Sequence, residues 1–271
     1  MEENTHISYL MDSFREAKAN RQSTLELGFN EVDELFQGGM PGELVTILGD
    51  CGSGKTSLTI RIVDRLSVDK RIPTLYLCCR ETPEGIISRL VNFRCPEDAS
   101  EKEREDVIKE ISEAPIYLYS RYYMNIDDIC NVCRNHVIKY GVKTVYVHFM
   151  YVAYNRENAY RLRMLAKELE ITIVLLVSVI DCIEGFEGRQ PKMSDLYECN
   201  LNEYSETVIG LCNYALYDVN FDLEGIDIRN LLHISILKCH GELMDRKFYV
   251  SKDAIKYKNR NAQTQQIVYP L

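Results

Sequence analysis

The chain has 271 residues, 46% of them hydrophobic, and its 41 acidic against 32 basic residues leave a net charge of −9. That length holds one large α/β domain or two small ones, with apolar content enough for a full core. The acidic balance excludes a wholesale basic coat for nucleic acid, so a polyanion would have to meet a local basic patch, and no apolar run reaches the ~18 residues of a membrane span.

At the start of the chain, Met1 to His6 lack the basic-then-apolar layout of a secretory signal. The ten cysteines are then expected to stay reduced, and the expected compartment is the cytoplasm. Ile7, Leu10, Met11 and Phe14 recur at helical spacing and predict an amphipathic helix, with a polar linker from Lys18 to Ser23. Residues 1–26 are therefore set apart from a main domain over 27–258 and a tail over 259–271. The block Gly28 to Leu35 leads to Gly38-Gly39-Met40-Pro41-Gly42, a turn that launches the next strand.

That strand is Leu44–Leu48, a short apolar run. It enters Gly49-Asp50-Cys51-Gly52-Ser53-Gly54-Lys55-Thr56, which fits the phosphate-binding pattern G-x-x-x-x-G-K-[ST] at every fixed position. The glycines let the backbone aim several N–H groups at one anion, Lys55 would reach the outer phosphates, and the Thr56 hydroxyl would hold Mg²⁺. Ser57–Val63 reads as a helix whose N-terminus favours phosphate. The residues Gly49 to Ser57 form the candidate nucleotide site, with ATP and Mg²⁺ as the implied cofactors.

Further strands are predicted at Thr74–Cys78, Ile116–Tyr119, Thr144–Phe149, Thr172–Val177, Thr207–Leu211, His233–Leu237 and Lys247–Val250. Helices are predicted near Glu84–Phe93, Lys102–Ser112, Ile126–Tyr140 and Tyr160–Leu169. Alternation through the first two thirds predicts a mainly parallel sheet flanked by helices, and the strand-rich last third predicts an antiparallel extension. Cys130-x-x-Cys133-x-x-His136 supplies three metal ligands at most, and the spacing is also that of a buried helical face, which is the preferred reading. Cys51, inside the phosphate loop, is a thiol near helix N–H groups and a candidate for oxidation. The eighteen tyrosines are spread through the chain and read as packing rather than as base-stacking platforms.

Five blocks in one order resemble the RecA-type motor domain of DnaB-like replicative helicases. They are Gly28 to Leu44 with its Gly-Gly and Pro-Gly turn; the phosphate loop; Ala114-Pro115-Ile116-Tyr117; Leu165-Ala166-Lys167-Glu168-Leu169 before an apolar strand; and Met193-Ser194-Asp195-Leu196 followed by Glu198 and Glu203. The resemblance implies a RecA-like P-loop α/β fold, an ATPase, a homo-oligomer with a hexamer as the family's form, and single-stranded DNA as a partner. It gives Glu81, with Glu84 as fallback, the role of activating the attacking water, and Lys238 that of reaching a neighbour's nucleotide. It also offers the N-terminal helix as a linker docking on an adjacent subunit, against packing on its own domain.

Departures from the family's pattern stand beside these matches. His148 ends the strand where the family has a Walker B aspartate, and Mg²⁺ prefers oxygen to imidazole. Ser178 and Asp181 replace a glutamine sensor and a basic residue, and Cys239 is expected where the arginine finger belongs. The loop from Asp181 to Lys192 carries Asp181, Glu184 and Glu187 against Arg189 and Lys192, an acidic lining for a DNA-tracking loop. Two readings therefore remain beside a working motor: an ATP-binding switch or scaffold on the same fold, and a RecA-like regulatory ATPase.

Overall fold

Side chains of β1 (Leu44–Gly49) alternate between two cores: Val45 and Ile47 enter one, Leu44 and Leu48 the other. Both faces of the strand are covered, which is why the sequence shows a continuous apolar run instead of an alternating one. The computed structural model describes residues 23–36, 38–79, 81–95, 98–121, 123–148, 156–178, 190–222, 225–258 and 269–270. The predicted helix at Ile7 to Phe14, most of the loop from Asp181 to Lys192, and nearly all of the tail lie outside these residues.

In chain order the elements are α1 (Asn30–Phe36), β1, α2 (Lys55–Val63), β2 (Thr74–Cys78), α3 (Pro83–Arg94), α4 (Glu101–Ser112), β3 (Ile116–Ser120), α5 (Ile126–Tyr140), β4 (Thr144–His148), α6 (Arg156–Leu169), β5 (Thr172–Ser178), α7 (Leu201–Tyr204), β6 (Thr207–Cys212), β7 (Leu231–Cys239), β8 (Glu242–Ser251), α8 (Lys252–Lys256) and β9 (Tyr269–Pro270). The nine strands among the described residues form one sheet in the order β3-β2-β4-β5-β1-β6-β7-β8-β9. Pairing is parallel from β3 to β6 and antiparallel from β6 to β9, the predicted architecture. β1 is central, so the loop that leaves it emerges at a point where the chain crosses to opposite sides of the sheet, the usual place for a ligand in such folds.

Helix starts follow local chemistry. Thr82 caps α3 by accepting from the Gly85 N–H, with Pro83 as the first helical residue. Ser100 with Glu103, and Asn125 with Asp128, form capping boxes for α4 and α5. The cysteines of the Cys130-x-x-Cys133-x-x-His136 run fall into the core between α5 and the sheet. His136 Nδ1 lies 2.8 Å from the Val132 carbonyl and packs among Tyr117, Tyr119 and Tyr140. Among the described residues, no helix is long and apolar enough to cross a membrane.

The entry segment is fixed by Arg61 of α2. Its guanidinium donates to the carbonyls of Leu27 and Gly28 and to Ala254 of α8, and lies 4.4 Å from the Phe29 ring centre. Burial brings its pKa down to about 10. A Cβ on Gly28 would fall 2.8 Å from Arg61 Nε, and Gly28 has φ +84°, so this entry needs glycine.

α2 does not end at Val63 but widens into π-helical turns over Asp64–Asp69. In that geometry residues five apart stack, and Asp64 and Asp69 both meet Arg94 and Lys258.

Candidate nucleotide site

The phosphate loop is built between two strands. Gly49, the last residue of β1, pairs with Ser178 of β5 on one side and with Leu211 of β6 on the other. A Cβ on Gly49 would come 2.5 Å from both the Leu211 carbonyl oxygen and Ser53 Oγ, so the close approach admits only glycine. Gly54 has φ +97° and directly precedes the first residue of α2, Lys55. That turn aims the N-terminus of a nine-residue helix at the space above the loop, a ready anion site.

Lys55 is 6% exposed, and its ammonium donates to the carbonyls of Gly49 at 2.6 Å and Asp50 at 2.8 Å. Ser53 is buried, and its Oγ has no hydrogen-bond partner among the described residues. The Ser53 N–H donates to the Asp50 carbonyl at 3.1 Å. Cys51 is exposed, and Thr56 and Ser57 are half-buried at the start of α2. An orphaned hydroxyl, a lysine resting on loop carbonyls and a glycine-lined turn fit a triphosphate.

The fit to Mg²⁺ is narrower. Thr56 offers one hydroxyl oxygen, and no group of three or more His, Cys, Asp or Glu is arranged around a metal position among the described residues. His148 ends β4, half-buried, paired with Leu176 of β5. Its strand lies two strands from β1.

Glu81 follows β2, three strands from β1, or roughly 14 Å at the usual strand spacing. It accepts from Arg89 Nε at 2.9 Å, with Glu81 24% exposed and Arg89 50%. Glu84 is exposed in the first turn of α3. Ser178, at the end of β5, lies beside Gly49.

Lys238 is not brought to this site. It pairs with Val208, which pairs with Thr46, three residues or about 10 Å below Gly49 along the strand direction. Its ammonium donates to the Asn202 carbonyl at 3.0 Å, and burial lowers its pKa. Lys238 therefore lies toward the end of the sheet opposite its own phosphate loop.

Cys239 does not occupy an outward finger position. It is buried, and its thiol donates to the Phe36 carbonyl at 3.4 Å. The cation offered at that hairpin is His240. It lies 2.7 Å from a Glu43 oxygen, its ring stacks on Phe36, and hydrogen bonding to Cys239 and Glu43 pushes its pKa up to about 10.

The turn after β6 also reaches the loop, and sequence reasoning misses it. Tyr217 donates from its hydroxyl to the Asp50 carboxylate, and Asn213 Nδ2 donates to the Gly52 carbonyl at 3.4 Å. Nothing local singles out Tyr217 among eighteen tyrosines; its partner lies 167 positions away.

Known proteins resemble the chain as a whole. The family model described as DnaB-like helicase C terminal domain matches residues 24–268. The replicative DNA helicase DnaB of Leifsonia xyli subsp. xyli is 22% identical over 206 residues, covering 68% of this chain and 45% of that protein. The chain spans about half the length of the curated DnaB relatives that it matches at 45%, 51% and 49% of theirs. Among solved structures, one described as an ATPase domain superposes with a TM-score of 0.78 at 18% identity, covering 95% of this chain and 99% of that one. A DnaB-like replicative helicase, described with its interactions with primase, gives 0.74 at 19% identity, covering 93% and 66%. At these identities the likeness to solved structures is one of fold, and that fold is RecA-like.

Proposed function

The chain belongs to the DnaB-like helicase C-terminal domain family, and on that premise we propose that it binds ATP with Mg²⁺ and hydrolyses it slowly. The observation that carries this reading is the phosphate loop, with Lys55 at the first turn of α2 and Ser53 Oγ orphaned inside the cradle. Lys55 would hold the outer phosphates, loop N–H groups the remaining oxygens, and the Thr56 hydroxyl the metal. Bound Mg²⁺ would supply neutralisation of phosphate charge.

Glu81 is the assigned base for the attacking water, once its carboxylate leaves Arg89. Lys238, at the far end of the sheet, suits a role toward a second copy of the chain and not toward its own nucleotide. A homo-oligomer, with a hexamer as the family form, and single-stranded DNA are the proposed partners. His148 weakens the metal side of the site, because an imidazole brings no negative charge beside the cation. This favours slow turnover and supports a second reading, an ATP-gated switch that needs only different affinities in two states.

The test is nucleotide binding followed by steady-state hydrolysis, with and without single-stranded DNA. Binding with slow hydrolysis is the expected result; protein that is folded yet takes up no nucleotide would overturn the assignment. DNA-stimulated turnover selects the motor, and turnover indifferent to DNA selects the switch.

Two substitutions examine the chemistry. Glu81→Gln is expected to lower single-turnover hydrolysis by about a hundredfold with nucleotide affinity retained, the scale of a lost general base. His148→Asp is expected to raise turnover by about tenfold by restoring a carboxylate beside the metal position, a gain of about 1.4 kcal/mol in the barrier. Unchanged rates in both would remove Glu81 and His148 from the reacting centre.

A further inference from the structure

The turn that follows β6 grips the phosphate loop at three points. The Tyr217 hydroxyl donates to the Asp50 carboxylate. Asn213 Nδ2 donates to the Gly52 carbonyl at 3.4 Å. Leu216 stands so near Gly52 that a Cβ there would come 3.3 Å from its Cδ1. All three contacts come from the short stretch Asn213–Tyr217, and all fall on residues 50–52.

Inside the gripped loop, the Lys55 ammonium rests on the carbonyls of Gly49 and Asp50. Two buried polar atoms at the same place lack hydrogen-bond partners among the described residues: Ser53 Oγ, on a residue 1% exposed, and Asn213 Oδ1. Buried polar atoms are nearly always paired, so this cluster calls for partners that the described residues do not supply. For Lys55 to reach a phosphate, its ammonium must leave the Asp50 carbonyl. The residue whose carbonyl holds the ammonium, Asp50, is the one whose side chain is tied to Tyr217.

We propose that Tyr217 is a positioning residue that latches the phosphate loop in a form closed to nucleotide, and that nucleotide entry requires release of the Tyr217–Asp50 bond. The inference rests on the nucleotide reading above. Apparent affinity then scales with the fraction of protein that is unlatched. Release lets Ser53 Oγ and the loop N–H groups turn toward phosphate, and it loosens the β6–β7 connection. That connection carries Phe221, 58% exposed, with the Arg229 guanidinium 6.0 Å from its ring centre. The state of the phosphate loop is thereby transmitted to a surface outside the nucleotide site.

The experiment titrates wild-type, Tyr217→Phe, Asp50→Ala and double-variant proteins with a fluorescent ATP analogue. It also follows amide hydrogen exchange at residues 49–55 without nucleotide. Each variant is expected to bind about tenfold tighter than wild type, the scale of one charge-assisted hydrogen bond, and the double variant no tighter than either single one. Exchange in the loop should quicken in both. A purely structural role for Tyr217 would weaken binding, so equal or weaker binding by Tyr217→Phe overturns the latch. So does unchanged loop exchange, whatever the affinity. If none of the four proteins binds, the nucleotide reading fails on its own, and the exchange data still decide the latch.

Discussion

Lys55→Ala is expected to lower ATP affinity by about 10²- to 10⁴-fold while leaving the protein folded. The lysine is buried under the loop, 6% exposed, with its ammonium on two backbone carbonyls. In the proposed nucleotide complex those neutral acceptors would be exchanged for phosphate oxygens. Two charge-assisted hydrogen bonds at about 1.5–3 kcal/mol each give about 3–6 kcal/mol, the source of the expected range. The folded state loses less, because the Gly49 and Asp50 carbonyls sit at a loop where water can replace the ammonium. Lys55→Arg should not restore affinity, since a planar fork does not fit a site shaped around a point charge. The measurement is calorimetric titration with ATP, alongside the thermal midpoint. Undiminished affinity in a folded Lys55→Ala protein would remove the phosphate loop from the function.

The geometry of the candidate phosphate loop is legible in the sequence because its determinants are local: a buried strand, glycines at fixed offsets and a helix start lie within twenty residues of sequence. The parallel core is legible for a similar reason, since short β-branched runs alternate with helical patterns, and β1, β2, β4 and β5 fall close to their predicted ranges. The C-terminal hairpin is harder to read. β7 spans Leu231–Cys239 and β8 spans Glu242–Ser251, both longer than predicted. The register shifts between Ile236 and Lys238, so the inward and outward alternation changes there. That is why Cys239 points inward and His240 lies at the surface of the hairpin. A signal is present all the same. His240 and Gly241 both have positive φ, +47° and +91°, and join Cys239 to Glu242 as a two-residue turn of the kind that favours hairpins. The turn at Asn213–Tyr217 has no such signal. Its role depends on contacts with residues far away in sequence, which periodicity does not report.

The charged cluster around Arg94 is also invisible in the sequence, and it yields the second large effect. Arg94, 7% exposed, meets Asp64, Asp69 and Glu110, while Lys258 joins Asp64 at 2.9 Å and Asp69 at 2.7 Å. Burial alone would lower the Arg94 pKa, but the hydrogen bond and charge of Asp64, with Glu110 and Asp69, raise it, so the guanidinium is held as a cation. Asp64→Ala leaves that buried cation without its most buried partner, and the expected loss is about 3–5 kcal/mol of folding stability. The double change Asp64→Leu with Arg94→Met removes both charges and is expected to cost far less, because an apolar pair of similar volume carries no desolvation penalty. Urea unfolding of the three proteins measures this; equal losses for the single and double variants would show that packing and not charge governs the site. The pH dependence has a definite sign. Burial works to raise the Asp69 pKa, but Lys258 and Arg94 outweigh it, so the folded value lies below the ordinary 3.8. Its contribution is therefore full above about pH 4 and is lost as the pH falls through that lowered value. Because Lys258 also donates its N–H to the Phe93 carbonyl, the cluster ties the end of the main body to α3 and to the π-turns that extend α2. The helix that begins at the phosphate loop is thus anchored at its far end by charge, and loosening that anchor should be felt first in the attachment of the C-terminal segment.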